Sequence, residues 1–276
     1  MTGLALNDLV TFALYLCIAG AVAAVLAGLF GIGGGTVLVP AFYQVFGAVH
    51  VPEDVRMHLA LGTSMAVLVT TSSRSYASHR KKGAPDEELI KGWRLAVPLG
   101  VLAGTLIVTF VSSFGLRLTF AVISVAVGLK LLFGRDSWRL GEELPGNPVR
   151  FATGGAIGVL STLMGIGGGV LNNTFMTLYG RPIHQAVATS AGVGTLIAVP
   201  AFLGYLWAGW GRAGLPPFST GYVNWTAFFL IIPITLFVTP YGVRLAHAMP
   251  KKMLEKAFGT YMLIVAARFF WSLGQS

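Results

Sequence analysis

The sequence predicts an all-α integral membrane protein of two inverted repeats. Each repeat has about five helical segments, the first two forming a hairpin broken at a glycine run. Three observations carry this expectation. Apolar residues fill 55% of 276 positions and charged residues only 11%, with a mean hydropathy of +0.75. The run Gly31-Ile-Gly-Gly-Gly35 recurs as Gly165-Ile-Gly-Gly-Gly169. The breaks rich in Lys and Arg fall where they put equivalent loops of the two halves on opposite sides. A soluble domain carries about 25% charged residues because its surface must be solvated. The deficit here leaves most of the outer surface facing something other than water, and bilayer fits.

Taken in order, the first apolar segment runs from about Leu9 to Phe30. Met1 to Asp8 lacks a basic stretch and no small-residue cleavage site follows, so a retained helix is expected rather than a removed signal peptide. Thr36 to Phe46 follows the first glycine run and is too short to cross alone, since a crossing takes about 20 residues. Leu59 to Ala77, Leu95 to Val111 and Leu116 to Phe133 complete the first half. In the second half Phe151 to Met164 leads into the second run, and Val170 to Tyr179 is again short. Ala186 to Trp207, Tyr222 to Val243 and Leu254 to Trp271 follow. The flanks repeat as well: Leu29-Phe30 matches Leu163-Met164, and Pro98 matches Pro233. Gly62-Thr63-Ser64 is echoed by Ala188-Thr189-Ser190, each opening the next long segment. Such self-similarity marks a repeat. It divides the chain into a first membrane repeat at 1–140, a cytoplasmic linker at 141–149 and a second membrane repeat at 150–276.

The charge distribution sets the topology. The formal charge is +9, but the basic residues cluster in the breaks between apolar segments, in Arg80-Lys81-Lys82, Arg135 to Arg150 and Lys251-Lys252. No basic stripe with exposed aromatics of the kind nucleic acid needs is present, so no nucleic-acid partner is expected. With those breaks and Arg181 on the cytoplasmic side, 15 of 19 Lys and Arg lie there, leaving Arg56, Arg117, Arg212 and Arg268 opposite. The turn at Ser113 to Arg117 then faces outward, whereas its repeat equivalent, Ala246 to Met253, faces inward. Opposite placement requires an odd number of crossings per repeat, hence the inverted relation.

The glycine runs are the candidate site. Four glycines in five residues are poor helix material, at about 1 kcal/mol each relative to alanine. Freed backbone groups are tolerated at membrane depth only where they are buried in protein or line a wet cavity. Each run also exposes the N-terminus of the following short helix, whose amides and dipole suit an anion. Gly33, Gly34, Gly35 and Thr36, with Gly167, Gly168 and Gly169, are therefore expected to bind solute. Close helix packing by small residues explains the same glycines without a site. Thr63, Ser64, Thr189 and Ser190 add hydroxyls as expected lining residues, or else bond back to their own helices. Asn172 and Asn173, costly at membrane depth without partners, either bind solute or cap the broken hairpin. Arg74, late in an apolar helix, is expected to reach the cytoplasmic surface.

Several classes are excluded. The single cysteine, Cys17, supports neither a disulfide nor a cysteine metal site, and the five histidines have no metal-ligand spacing. No phosphate loop is present, so ATP hydrolysis by this chain is not expected. No carboxylate lies deep within an apolar segment, Asp8 and Glu255 sitting only at segment starts, which argues against a carboxylate proton relay. No catalytic constellation and no cofactor are expected.

At Gly28-Leu-Phe-Gly-Ile-Gly-Gly-Gly35 with Pro40, Gly62-Thr-Ser64, Met164-Gly-Ile-Gly-Gly-Gly169 and Ala188-Thr-Ser190, the sequence resembles the TauE/SafE family of sulfite-exporter-like permeases. The resemblance implies a multi-pass carrier of the bacterial inner membrane exporting sulfite, sulfonates or related small organic anions. It also implies that the glycine runs and Thr-Ser pairs form the site. One departure is Leu171-Asn172-Asn173-Thr174 where the family often shows a proline, which leaves an altered second half-site and a different anion open. An anion channel of the same architecture and an accessory membrane protein are the competing expectations. The partners implied are a small anionic solute and membrane lipid. A homodimer is compatible with the small size, and nothing in the chain fixes it.

Overall fold

The computed structural model describes residues 34–81, 85–134 and 139–274, with 14, 17, 18, 20–22, 24 and 25. The expected site residue Gly33, with Gly31 and Ile32, lies outside them. The described chain is mostly helical. Helix α1 (Gly35–Ala48) starts from Gly34 in the left-handed region at φ 78°. Helix α2 (Glu53–Arg80) places Glu53 and Asp54 in its first turn and His79 and Arg80 in its last, each charge complementing the helix dipole. Those charges, read as a loop from hydropathy alone, therefore belong to the helix. Thr63 and Ser64 consequently lie roughly three turns into α2, correcting the expectation that they open it.

The short helix α3 (Glu87–Gly92) is capped by the Asp86 side chain, which accepts from the Leu89 amide. Helices α4 (Ala96–Phe110) and α5 (Ser113–Phe133) follow, the second capped by Ser112. Helix α6 (Asn147–Met164) carries Pro148 in its first turn, so 147–149, expected in the linker, are already helical. It ends at Gly165, and α7 (Gly169–Leu178) restarts from Gly168; both glycines are left-handed, at φ 65° and 69°. Helix α8 (Ile183–Ala208) leads to a small antiparallel pair, β1 (Ser219–Thr220) and β2 (Val223–Asn224), that the all-α expectation did not contain. The segment expected to begin at Tyr222 thus starts as a strand, and α9 (Trp225–Ala248) follows it, then α10 (Lys251–Leu273).

The packing is built around α2 and α8, which lie against each other. At 28 and 26 residues they are about 42 and 39 Å long. Helix α7, with 10 residues, is about 15 Å long, half a hydrocarbon core. Helix α1 packs on α2 and α7 on α8; α4 lies against α6 and α8, α9 against α2, and α5 against α10. Gly20, the described glycine of the first segment, abuts Ile231 and Ile234 of α9.

The contact of α4 with α6 is a backbone-to-backbone approach. A Cβ at Gly100 would sit 2.1 Å from the Gly155 carbonyl oxygen, and one at Gly158 would sit 2.5 Å from that of Val97. Small residues at helix contacts are how helices associate in lipid, where burying apolar side chains gives little drive. The outward faces are apolar: Leu95, Leu99, Leu102, Leu106 and Phe110 on α4 and Phe229 and Phe237 on α9 are exposed. Two helices, Ser113–Phe133 and Ile183–Ala208, are long and apolar enough to cross a membrane by length and composition.

Gly100→Val is expected to destabilise the folded chain by at least the 1–3 kcal/mol typical of overpacking, because backbone rather than a flexible side chain occupies the space. Gly146→Ala, where nothing lies within 4 Å of the added carbon, should stay within about 0.5 kcal/mol of the parent. Thermal unfolding of the two variants in detergent would separate them.

Candidate functional site

The two breaks converge. A Cβ on Gly35 would lie 2.6 Å from the Gly165 carbonyl oxygen and 2.7 Å from the Ile166 Cα, so the head of α1 rests directly on the α6–α7 connection. The same Gly165 oxygen accepts a hydrogen bond of 2.9 Å from the buried Ser64 hydroxyl. On the far side, Gly167 faces Ser72 of α2 and Gly194 of α8. Gly35 and the second glycine connection therefore lie against the middle of the two longest described helices.

The backbone at these breaks is polar and buried. Gly34, Gly35 and Thr36 are buried, as are Gly167, Gly168 and Gly169. Gly34 and Gly168 hold equivalent left-handed positions immediately before α1 and α7, a conformation a side chain disfavours by about 1–2 kcal/mol. The amides that begin each helix, Gly35 and Thr36 in α1 and Gly169 and Val170 in α7, lack an intrahelical acceptor. Hydrogen bonding resumes at Val37 and Leu38, both on the Gly34 carbonyl, and at Asn172, on the Gly168 carbonyl.

Along the α7–α8 contact the structure joins Asn172, Asn173 and Ser190. The Asn172 Nδ2 donates to Ser190 Oγ at 2.6 Å, and Ser190 Oγ donates to Asn173 Oδ1 at 2.6 Å. The other end of the Asn172 amide, Oδ1, is buried without a partner among the described residues, and so is Ser161 Oγ. Ser161 lies beside the break, 3.3 Å from where a Gly168 Cβ would be. Buried polar groups are nearly always satisfied, so these two leave hydrogen-bonding capacity here, as Thr105 and Ser124 do elsewhere among the described residues. None of these groups is charged.

Thr63 and Thr189 are placed differently. Thr63 Oγ1 accepts from the Asn224 amide at 3.0 Å, and Thr189 Oγ1 accepts from the Asp86 amide at 2.8 Å. Asn224 and Asp86 each cap a helix, through bonds to the amides of Ala227 and Leu89. Each threonine of one half thus holds a cap residue of the other half. Ser64 and Ser190, one position on, are engaged differently, Ser64 with the Gly165 carbonyl of the second break and Ser190 with the two asparagines of α7.

Sequence reasoning missed Ser72, Ser161, Asp86 and Asn224. Asp86 and Asn224 carried a signal, an Asp or Asn directly before a helical stretch. It also missed that Arg117, read as a loop residue, is buried and ion-paired to Glu53, with Nη1 donating to the Tyr43 hydroxyl at 3.2 Å.

Comparison with known proteins agrees with this architecture. A model of the family described as sulfite exporter TauE/SafE matches residues 16–269. A probable membrane transporter protein of Haemophilus influenzae is 31% identical over 264 residues, covering 94% of this chain and 98% of the relative. One from Methanocaldococcus jannaschii is 27% identical, covering 87% and 88%. A third, YunE of Bacillus subtilis, is 24% identical, covering 91% and 93%. No solved structure matches.

Ser190→Ala removes the hydroxyl on which both asparagine side chains depend. It is expected to cost about 1–3 kcal/mol, the price of leaving buried amide groups unpaired. Ser78→Ala, on an exposed hydroxyl, should be near neutral. The difference is read from the midpoint of thermal unfolding in the same detergent.

Proposed function

The chain belongs to the sulfite exporter TauE/SafE family and is a membrane transporter; from that premise we propose that it carries small anions such as sulfite or organosulfonates. In this reading it is a secondary carrier that exports across the bacterial inner membrane. It works by alternating access between two inverted repeats, 1–140 and 150–276 joined by the linker 141–149, with its basic loops cytoplasmic. The observation that carries the reading is the contact of the head of α1 with the α6–α7 connection, Gly35 against Gly165 and Ile166. It brings the head of the first short helix onto the break that precedes the second, beside the two longest described helices, and solute sites of inverted-repeat carriers lie at such a repeat interface.

The chemistry of the junction supports an anion. Backbone amides and hydroxyls gather there, no carboxylate is among them, and two helix N-termini direct partial positive charge inward. The packing supports the inverted relation. Exchanging the halves turns the α1–α2 contact into α7–α8 and the α4–α8 contact into α2–α9, and all four contacts are present. The threonine latches follow the same exchange, Thr63 with Asn224 and Thr189 with Asp86. The asparagines of α7 break it, because α1 has Leu38 and Val39 at the equivalent positions one turn after its own glycine. The second half-site is consequently the more polar one and the place where specificity for the anion would reside.

Liposomes containing the purified protein should take up labelled sulfite or sulfoacetate with saturation and in preference to acetate. A pH gradient imposed on the same liposomes tests whether protons drive the movement. Gly34→Leu and Gly168→Leu each place a side chain on a left-handed residue at a helix head, and each should reduce uptake to background while the protein remains in the membrane. Full activity in both would rule out the glycine junction as the site, and flux without saturation would indicate a channel.

A further inference from the structure

The end of the molecule away from Arg80 carries a second, separate concentration of positive charge. Helix α1 ends there, α2 and α5 begin there and α10 ends there. Between them lies a cavity of about 230 Å³ lined by Tyr43, Gln44, Glu53, Arg56, Arg268, Trp271 and Ser272. Three of the four arginines that the charge count leaves outside the basic loops meet around it: Arg56 and Arg268 in the wall, Arg117 behind it.

The carboxylate of the cavity is already engaged. Glu53 pairs with the buried Arg117, which also donates through Nη1 to Tyr43 Oη at 3.2 Å and to the Ser272 carbonyl at 3.3 Å. Arg56 and Arg268 enter no ion pair among the described residues. Arg56 uses Nε and Nη2 on the Val51 carbonyl, at 3.0 and 2.7 Å, and stacks over Tyr43. These bonds hold the guanidinium in place and leave Nη1 to donate elsewhere. Arg268 Nη2 reaches Gln44 Oε1 at 3.4 Å, which orients the Gln44 amide so that its Nε2 remains a donor. The wall is therefore rich in oriented donors, poor in free acceptors and positive in charge.

We propose that this cavity is an oxyanion site, distinct from the glycine junction, and that it holds the solute anion as it enters or leaves on the face opposite the basic loops. Two guanidiniums and an amide match the several acceptor oxygens of a sulfite, sulfonate or phosphate group, because charge-assisted bonds to such groups are short and directional. The site also has a physical connection to the junction. Tyr43 and Gln44 stand on α1, whose head is Gly35, about 12 Å away along the helix. A phospholipid phosphodiester has the same chemistry and is the alternative source of the oxyanion. The class of ligand rests on the cavity alone; identifying it as the transported solute rests on the carrier reading above.

The test is binding of radiolabelled sulfite to the full chain in nanodiscs of phosphatidylcholine, compared with nanodiscs containing phosphatidylglycerol. Arg268 is exposed, so Arg268→Gln should leave the fold intact, and it should weaken sulfite binding roughly tenfold, the effect of losing one charge-assisted bond. Arg56→Gln should do the same and Arg268→Lys should restore most of the loss. In Gly34→Leu, where the junction is obstructed, the arginine-dependent binding should persist. If phosphatidylglycerol displaces sulfite from the parent but has no effect in Arg268→Gln, the oxyanion site stands with lipid as a competing occupant. If Arg268→Gln and Arg56→Gln bind sulfite as the parent does and respond identically to phosphatidylglycerol, the proposal is overturned. Arginine-dependent binding in a protein that moves no sulfur anion would leave this site standing and defeat the carrier reading; transport with arginine-independent binding would do the reverse.

Discussion

The structure depends on a helix head, Gly35, seated against the Gly165 carbonyl, closer than any side chain would allow. The chain breaks in the interior between α6 and α7, and the freed backbone groups there have no water to turn to. The break is stable because polar backbone meets polar backbone and the Ser64 hydroxyl satisfies the Gly165 oxygen. Everything else at the centre follows from that approach. The two longest helices must pass on either side to cover it, and they must present Leu61, Leu68, Ser72 and Gly194 where the connection crosses them.

Around this junction, polar side chains act mostly as fasteners. Thr63 and Thr189 receive the amides of Asn224 and Asp86, which in turn cap α9 and α3. A hydroxyl that accepts such a bond satisfies a buried donor and ties two distant segments in one contact, at sequence separations of 161 and 103 residues. Low surroundings in dielectric strengthen such bonds and penalise their loss. The Asn172–Ser190–Asn173 chain is built the same way but stops short of full satisfaction, leaving Asn172 Oδ1 open.

Charge is segregated just as strictly. The described residues at the glycine junction carry none, and at the end where α2 and α5 begin Arg56, Arg117 and Arg268 surround a single cavity. Arg117 can be buried because Glu53, Tyr43 and the Ser272 carbonyl all meet its Nη1. The buried guanidinium against the part-exposed Glu53 ties α2 to α5 while the neighbouring arginines remain outside any ion pair among the described residues.

How much of this could be read from the chain alone depends on the range of the interaction involved. Helix content, the two glycine breaks, the short helices after them and the polar character of Asn172 and Asn173 are local consequences of composition and periodicity, and the sequence by itself determined them. Hydropathy misjudged the ends: Glu53, Asp54 and Asn147 read as loop because charge and turn propensity outweighed helix signals, although capping and the dipole place them inside helices. The β1–β2 pair was hidden for a similar reason, since two-residue strands leave no periodic trace. Only the tertiary structure decided that Gly35 meets Gly165, that Thr63 and Thr189 serve as latches while Ser64 bonds the second break and Ser190 the asparagines of α7, and that three scattered arginines share one cavity. Each of these joins residues far apart in sequence, and no local preference encodes which distant backbone a hydroxyl or guanidinium will find once the helices pack.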